Sequence, residues 1–306
     1  MSDRLPTTAP RALSIAAWAY VVYLLGVILF GDWVRITGSG AGCGAHWPLC
    51  DGQVIPRPES TERVIEFTHR LTSGLCGLIS IGLVAWTAKV LGWRSRVTRA
   101  AAATLGFVVI EGAIGAALVL LELVADDTSS LRALVVGLHL GNTLLLMACA
   151  GATAWWAGGG RDAIWGDPPL ARGWFALGLG GIAVTAMLGA VTALGDTLFP
   201  VGTPAAESAA HLLIVQLRVV HPVVAVLVAV ALLAFGGLLL DRPLSAEARR
   251  WVRATGLLLA IQMAWGVLNI LLAAPGWAQL VHLLLAQGLW LAAVLATMAA
   301  RDRAPS

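Results

Sequence analysis

The feature of this sequence that most constrains its fold is a series of eight long apolar segments. A helix needs about 20 mostly apolar residues to cross a lipid bilayer, and every one of these segments is long enough. Only helices and closed barrels can span lipid, because the backbone finds no water there. The segments are far too long for barrel strands, so we predict an all-α integral membrane protein. They lie at approximately 13–34, 64–90, 100–122, 131–156, 172–194, 210–240, 253–273 and 277–299.

The composition supports this class and excludes others. Hydrophobic residues make up 58% of the 306 residues and charged residues only 12%, against roughly 25% charged residues in a soluble domain. A water-soluble fold could not cover so much apolar surface. The chain also lacks the polar or basic composition of disordered and nucleic-acid-binding proteins. The lipid bilayer is therefore an expected partner, and nucleic acid is not.

The basic residues between the segments predict the orientation in the membrane. With the N-terminus inside, 14 of the 20 Lys and Arg residues fall on the inner side. Because basic residues concentrate in cytoplasmic loops, we predict a multi-pass cell-membrane protein with both termini cytoplasmic and residues 35–63 outside. The inner residues are Arg4, Arg11, Lys89, Arg94, Arg96, Arg99, Arg161, Arg172, Arg242, Arg249, Arg250, Arg253, Arg301 and Arg303. The outer loops hold Arg35, Arg57, Arg63 and Arg132.

The spacing of the outer loops indicates an internal repeat. Long and short outer connections alternate at 35–63, 123–130, 195–209 and 274–276. Glu111 in the third segment and Gln262 in the seventh each have glycine four residues later. We therefore predict two tandem four-helix bundles, residues 1–158 and 159–306, related as a pseudo-twofold parallel repeat.

Four of the six histidines lie one in each even-numbered segment, within about three turns of its outer end. They are His69, His139, His221 and His282. Imidazole is a good iron ligand, and two histidines on facing helices can hold a haem from both sides. Two pairs in two halves suggest two porphyrin sites. The alternative is that each histidine makes an interhelical hydrogen bond, whereas a zinc site is disfavoured because no local His/Cys cluster exists.

Glu66 lies three residues before His69, on the same helical face. A carboxylate there can accept a proton or stabilise a positive charge that develops during a reaction. The alternative is an ion pair between Glu66 and Arg70 at the mouth of the helix. Glu111 is interpreted as a buried polar contact between helices.

Two arginines flank the histidines. Arg70 follows His69, and Arg218 lies three residues before His221. Arginine binds carboxylates as a bidentate fork, so both are candidates to hold the propionates of a haem. The alternative is that their side chains extend to the membrane interface.

The four cysteines fall into two groups. Cys76 and Cys149 lie within segments and are interpreted as packing residues. Cys43 and Cys50 share the first outer loop, on the oxidising side, where a disulfide is favoured. A redox-active pair and a metal site that includes His46 stay open. Apart from that alternative, the sequence indicates no function for His46, and it indicates none for His211.

Together, the two four-helix halves, the four histidines, the element Glu66-Phe-Thr-His-Arg70 and the Cys43–Cys50 loop resemble the haem A synthase family over almost the whole chain. Members convert haem O to haem A for terminal oxidases, oxidising a porphyrin methyl group to a formyl group by successive hydroxylations. The resemblance implies a catalytic role for Glu66, a substrate haem O pair at His69 and His139, a haem b pair at His221 and His282, and a resting-state disulfide between Cys43 and Cys50.

The chain departs from this family in three places. Pro222 follows His221 where many members have arginine, and Glu111 stands where glutamine is usual. The second long outer loop also lacks the cysteine pair found in some members. Any redox exchange in the outer loops must therefore use Cys43 and Cys50.

Two other functional classes stay open at this point. One is a bis-histidine di-haem cytochrome for quinol-linked electron transfer, and the other is a non-catalytic haem carrier. For the haem A synthase interpretation, the expected partners are haem O, the haem O synthase that makes it, and an unidentified electron donor or acceptor. The many small residues in the helices would also permit a homo-oligomer.

Overall fold

The computed structural model describes residues 9–160, 174–199 and 209–299, with side chains described except at 174–176 and 209–215. These residues form eight long helices and no β-strand. Each helix, over at least part of its length, is long and apolar enough to cross a membrane. The predicted all-α integral membrane fold is therefore confirmed. The helices are α1 Arg11–Ile36, α2 Thr61–Leu91, α3 Arg96–Leu120, α4 Ser130–Ala157, α5 Gly180–Leu198, α6 Ala209–Leu240, α7 Ala246–Leu271 and α8 Gly276–Ala299.

The predicted segments match these helices with shifts of a few residues at most ends. The largest difference is at the fifth segment, predicted from 172, because a π-helical turn over Trp174–Leu179 precedes α5. Arg35, predicted in the first outer loop, lies in the last turn of α1. Among the residues used to predict orientation, Arg4, Arg161, Arg172, Arg301 and Arg303 lie outside the described residues. The side chain of His211 and most of the second long loop lie outside them as well.

Serine caps fix the start of four helices. In each case the serine hydroxyl accepts a hydrogen bond from the backbone N–H three residues later, at 3.1–3.2 Å. This contact satisfies one of the backbone donors that the first turn of a helix leaves unpaired. The four caps are Ser60 before α2, Ser95 before α3, Ser129 before α4 and Ser245 before α7.

The helices pack as two groups of four. In the first group α1 contacts α2 and α4, and α3 contacts α2 and α4. In the second group α6 contacts α5 and α7, and α8 packs mainly on α7. The groups meet where α4 packs on α5 and α8 and where α1 packs on α8. Accordingly α4 and α8 are the most buried of the eight spans, and Trp290 on α8 donates its indole N–H to the Leu144 carbonyl on α4 at 2.7 Å.

Arg35 links the two groups of helices at the end of the bundle that carries residues 37–60, here called the loop end. Its Nε donates to Asp32 Oδ1 at 2.7 Å within α1. Its Nη1 donates to Thr197 Oγ1 on α5 at 2.5 Å, and its Nη2 donates to Gln279 Oε1 on α8 at 2.7 Å. One largely buried guanidinium therefore joins three helices by charge-assisted hydrogen bonds.

We predict that Arg35→Met lowers the free energy of unfolding by about 3 kcal/mol, because the substitution leaves Asp32 buried without its cation. Arg250→Gln is the matched control, since Arg250 and Glu247 form an exposed pair at 3.9 Å. Arg250→Gln should lower the free energy of unfolding by about 1 kcal/mol or less. Denaturant titration of both variants in detergent micelles measures the difference. Equal losses for the two variants would contradict the linking role of Arg35.

Candidate functional site

A large cavity of about 1420 Å³ opens among the helices that the structure describes. All eight helices contribute to its lining, which consists mostly of apolar side chains with a few polar ones. Pockets for drug-sized ligands occupy roughly 300–1,000 Å³, so this cavity suits a larger ligand or more than one. The candidate residues that line it are Glu66, His69, Arg70, His139, Arg218, His221 and His282.

His221 on α6 and His282 on α8 face each other across this cavity. Their ring centroids are 6.4 Å apart, and the ring planes are nearly perpendicular at 86°. A metal ion held between two imidazoles by bonds of about 2.0 Å places the ring centroids roughly 6 Å apart. The observed separation therefore fits one metal ion held between the two rings.

Neighbouring groups hold these two rings in different ways. Nδ1 of His221 lies 3.1 Å from the Thr185 carbonyl on α5, a position in which it donates its proton and leaves Nε2 free as a ligand. The amide nitrogen of Gln262 lies 3.4 Å from Nε2 of His282. Gln262 on α7 is thus a polar neighbour of the second ring.

The other two histidines lie on α2 and α4. The ring of His69 packs edge-to-face against Phe30 on α1, with the centroids 5.7 Å apart. Nδ1 of His139 lies 3.2 Å from Oε1 of Glu111 on α3. The predicted polar contact of Glu111 between helices is therefore present, and its partners on α4 include a candidate histidine.

Glycines on neighbouring helices make room for three of the histidine rings. A Cβ at Gly31 on α1 would lie 3.0 Å from Cε1 of His69. At Gly189 on α5 it would lie 2.9 Å from Cε1 of His221, and at Gly266 on α7 it would lie 3.3 Å from Cε1 of His282. Larger residues at Gly31 and Gly189 would push the rings, so close helix approach sets the ring positions.

Three of the four imidazoles have an Nδ1 atom without a hydrogen-bond partner among the described residues. Nδ1 of His69, His139 and His282 is buried and makes no hydrogen bond within the part of the chain that the structure describes. Buried polar atoms are normally paired, so unpaired imidazoles in a cavity wall are typical of ligand-binding groups. Paired imidazoles, glycine gaps and a large apolar cavity together fit an iron porphyrin better than a small ligand.

Glu66 forms the ion pair with Arg70 that the sequence offered as one alternative. It is buried near the start of α2 and lines the cavity. Its Oε1 accepts hydrogen bonds from Arg70 Nη2 at 2.5 Å and Nε at 3.1 Å, and its Oε2 accepts one from the Cys43 backbone N–H at 2.7 Å. The ion pair with Arg70 is therefore formed, but it is buried at the cavity wall rather than exposed.

The Cys43–Cys50 loop packs directly on this ion pair. The two cysteines are bonded, which confirms the predicted disulfide. Arg70 Nη1 donates to the His46 carbonyl at 2.6 Å and to the Leu49 carbonyl at 2.7 Å, both inside the disulfide loop. The loop thus supplies a donor to Glu66 and two acceptors to Arg70.

Gly42 allows the loop to approach α2 closely. A Cβ at Gly42 would lie 2.5 Å from the backbone carbonyl carbon of Glu62. Any other residue would therefore push the loop away from the start of α2. Because Cys43 follows immediately, this close approach also brings its N–H to Glu66.

The arginine candidates line the cavity but already have partners in the protein. Arg218 Nε donates to Asp196 Oδ1 at 2.7 Å, and its Nη2 donates to the Phe199 carbonyl at 2.5 Å. Arg35 and Arg132, which the sequence reasoning did not select, also line the cavity. Both arginines lie at helix termini at the loop end, Arg35 in the last turn of α1 and Arg132 in the first turn of α4. That position could have identified them as candidate cavity residues.

Other metal sites find no support in the structure. His46 is exposed and lies 3.8 Å from Asp51 Oδ1, outside the cavity lining. Within the described ranges, no group of three or more His, Cys, Asp or Glu side chains is placed to hold a metal ion by itself. A protein-only zinc site therefore has no ligand set among these residues.

The fold and the cavity define a polytopic membrane protein in which four imidazoles line a large, mostly apolar cavity and two of them, His221 and His282, face each other. Residues 14–294 match the COX15-CtaA family, which is described as cytochrome oxidase assembly protein. The chain belongs to this family.

Individual relatives carry two kinds of name. The chain is 42% identical over 303 residues to a protoheme IX farnesyltransferase of Thermus thermophilus, a match that covers 97% of this chain and 50% of the relative. It is 39% identical over 140 residues to a Heme A synthase of Symbiobacterium thermophilum, covering 46% and 43% of the two chains. A Heme A synthase of Geobacillus kaustophilus is 40% identical over 109 residues, covering 36% and 34%. The chain therefore spans half the length, or less, of these relatives.

We predict that an alkylating reagent labels Cys43 and Cys50 only after reduction, because both thiols are used in the disulfide. Mass spectrometry of the unfolded protein, alkylated before and after reduction, counts the labelled cysteines. Cys76 and Cys149 are the internal control, since both are free thiols and should be labelled in either case. Full labelling of Cys43 and Cys50 without reductant would contradict the disulfide.

Proposed function

We propose that this chain is a haem A synthase, an oxidoreductase that converts a methyl group of haem O to a formyl group and so provides haem A for terminal oxidases. Membership of the cytochrome oxidase assembly family and the matches to proteins named Heme A synthase support this function. The observation that carries it is the pairing of imidazoles around one large cavity, above all the 6.4 Å separation of His221 and His282.

Each half of the chain has one imidazole pair, and the two pairs bind different haems. His69 and His139, in residues 1–158, bind the substrate haem O. His221 and His282, in residues 159–306, bind haem b. The halves are a pseudo-twofold parallel repeat, a relation supported by the glycine that faces the histidine ring in each half, Gly31 and Gly189. When bound, haem b supplies a one-electron redox centre beside the substrate.

The reaction removes four electrons from the methyl carbon in two hydroxylations, and loss of water from the resulting diol leaves the formyl group. An oxygen source and an electron donor or acceptor are therefore required as co-reactants. Glu66 is the catalytic residue of the protein: it takes up a proton or stabilises positive charge that develops at the methyl carbon. Its burial beside Arg70 holds the carboxylate in place.

The remaining side chains of the site orient the ligands. Arg70 and Arg218 lie at the cavity wall, where each can direct an N–H toward a haem propionate. The apolar lining excludes water, so the electrostatic effect of Glu66 is stronger than it would be in solution.

The same proposal includes the membrane topology and the partners of the protein. Both termini are cytoplasmic, and the disulfide loop lies on the outer side of the cell membrane. The partner that supplies the substrate is the haem O synthase. The Thermus relative is named for farnesyl transfer to protohaem IX, and half of its length aligns with this chain. A homo-oligomer is compatible with the small residues of the helices.

Pigment extraction tests the function against its two rivals. Membranes from cells that express the chain together with a haem O source are extracted, and the haems are separated. A haem A synthase yields a new formyl porphyrin. A bis-histidine cytochrome or a haem carrier yields only haem O and haem b, and that result would overturn the proposal.

We predict that His221→Ala and His282→Ala each remove nearly all stably bound haem b, because either change leaves the iron without one axial ligand. The low-spin haem spectrum of the purified variants measures the loss. His46→Ala is the matched control, since His46 is exposed and outside the cavity. An unchanged low-spin spectrum in either cavity variant would exclude that histidine as a ligand.

We predict that Glu66→Gln lowers haem A formation roughly a hundredfold, because the variant keeps the size of the side chain but loses the negative charge. Glu66→Asp keeps the charge with a shorter reach and should give an intermediate rate. The ratio of haem A to haem O in membranes measures the effect, with haem b content as the folding control. Glu62→Gln, one turn earlier and exposed in the first turn of α2, is the matched control. Wild-type haem A yield from Glu66→Gln would remove Glu66 from catalysis.

A further inference from the structure

Each imidazole pair contains one ring whose Nδ1 faces an acceptor of the protein. Nδ1 of His221 faces the neutral backbone carbonyl of Thr185 at 3.1 Å. Nδ1 of His139 faces the carboxylate of Glu111 at 3.2 Å. A group that accepts the Nδ1 proton fixes the tautomer and orientation of the ring and raises the basicity of the other nitrogen. The acceptors of the two pairs therefore differ in charge.

Glu111 is held firmly in front of His139. Its two carboxylate oxygens accept hydrogen bonds from the side chains of Asn142 and Thr143, one turn beyond His139 on α4. Asn142 Nδ2 is itself fixed by the Phe107 carbonyl on α3 at 3.0 Å. The contact to His139 has the length of a hydrogen bond but not its angle, and Nδ1 has no other acceptor among the described residues.

The second half of the chain has a neutral residue in the corresponding place. Gln262 on α7 faces Nε2 of His282 on α8 at 3.4 Å, and Nδ1 of that ring is the nitrogen left unpaired, whereas Glu111 on α3 faces Nδ1 of His139 on α4. Each residue thus stands beside one nitrogen of its histidine and leaves the other nitrogen for a ligand. Both residues also precede a glycine by four positions. The chain thus offers its own matched comparison, in which a carboxylate and an amide of nearly the same size stand beside equivalent histidines.

We propose that Glu111 is a positioning residue that accepts the Nδ1 proton of His139 and makes Nε2 an electron-rich ligand for the iron of the first haem. This inference rests on the proposed function, because it requires haem at His139. A negative charge behind the ligand favours ferric over ferrous iron. The carboxylate therefore gives the haem at the His69–His139 pair a lower reduction potential than the haem at the His221–His282 pair, and electron transfer from the first pair to the second is downhill.

Redox titration of the purified protein, loaded with added ferric protohaem, tests this directly. The first site is read in a His282→Ala background and the second in a His69→Ala background, so that each spectrum reports one haem. In the first background Glu111→Gln should shift the ferric-to-ferrous ratio about tenfold toward ferrous at a fixed potential, a rise of about 59 mV. In the second background Gln262→Glu should shift the ratio about tenfold the other way.

The possible results distinguish failure of the Glu111 role from failure of the proposed haem binding. An unchanged potential in Glu111→Gln, with haem retained, overturns the role of Glu111. If that variant loses haem, Gln262→Glu decides: a shift toward ferric supports the inference, and no shift overturns it. A His282→Ala protein that binds no haem at all would instead contradict the proposed binding of haem by His69 and His139. A purely structural role for Glu111 would change stability but leave the potential unmoved.

Discussion

The absence of water from the membrane interior is the constraint on which the rest of this structure depends. Every backbone group must be satisfied within its own helix, and every polar side chain must find a partner inside the protein. The buried charges obey this rule: Arg35 binds groups on α1, α5 and α8, Glu66 pairs with Arg70, and Arg218 pairs with Asp196. Three histidines of the cavity wall are among the exceptions, because their buried Nδ1 atoms make no hydrogen bond within the described residues.

The same constraint explains why the Cys43–Cys50 loop and the candidate site depend on each other. Glu66 lies in low-dielectric surroundings, where an unpaired carboxylate would cost several kcal/mol. Its charge is stabilised by Arg70 and by the Cys43 N–H, and Arg70 in turn donates to the His46 and Leu49 carbonyls. The disulfide closes the loop that contains these three backbone groups. The position of the carboxylate thus depends on the folding of a short loop as well as on the helix that carries it.

The sequence was sufficient to predict features that depend on a single helix or loop. Bilayer thickness fixes helix length, so eight spans were predictable, and the Cys43–Cys50 disulfide followed from compartment and spacing. Contacts between distant elements were not predictable: Arg35 meets Gln279 across 244 residues of sequence, and nothing local signals that approach. The start of α5 was missed because an apolar run does not distinguish an α-helix from the π-helical turn at Trp174–Leu179. Glu111 was predicted as an interhelical contact, but its partner His139 emerged only from the packing of α3 on α4.

The charges around the two imidazole pairs suggest how one scaffold can serve two tasks. Three residues before the first histidine of each pair stands a charged residue, Glu66 before His69 and Arg218 before His221. Each forms an ion pair with a residue of opposite charge, so the two ion pairs have the same net charge of zero and do not distinguish the halves. Glu111 remains, and its described hydrogen-bond donors are the neutral side chains of Asn142 and Thr143, whereas its counterpart Gln262 is uncharged. The first half therefore carries about one more negative charge at its histidines than the second. Under the proposed function, that difference favours positive charge at the His69–His139 pair and electron acceptance at the His221–His282 pair, as oxidation of a substrate beside a redox cofactor would require.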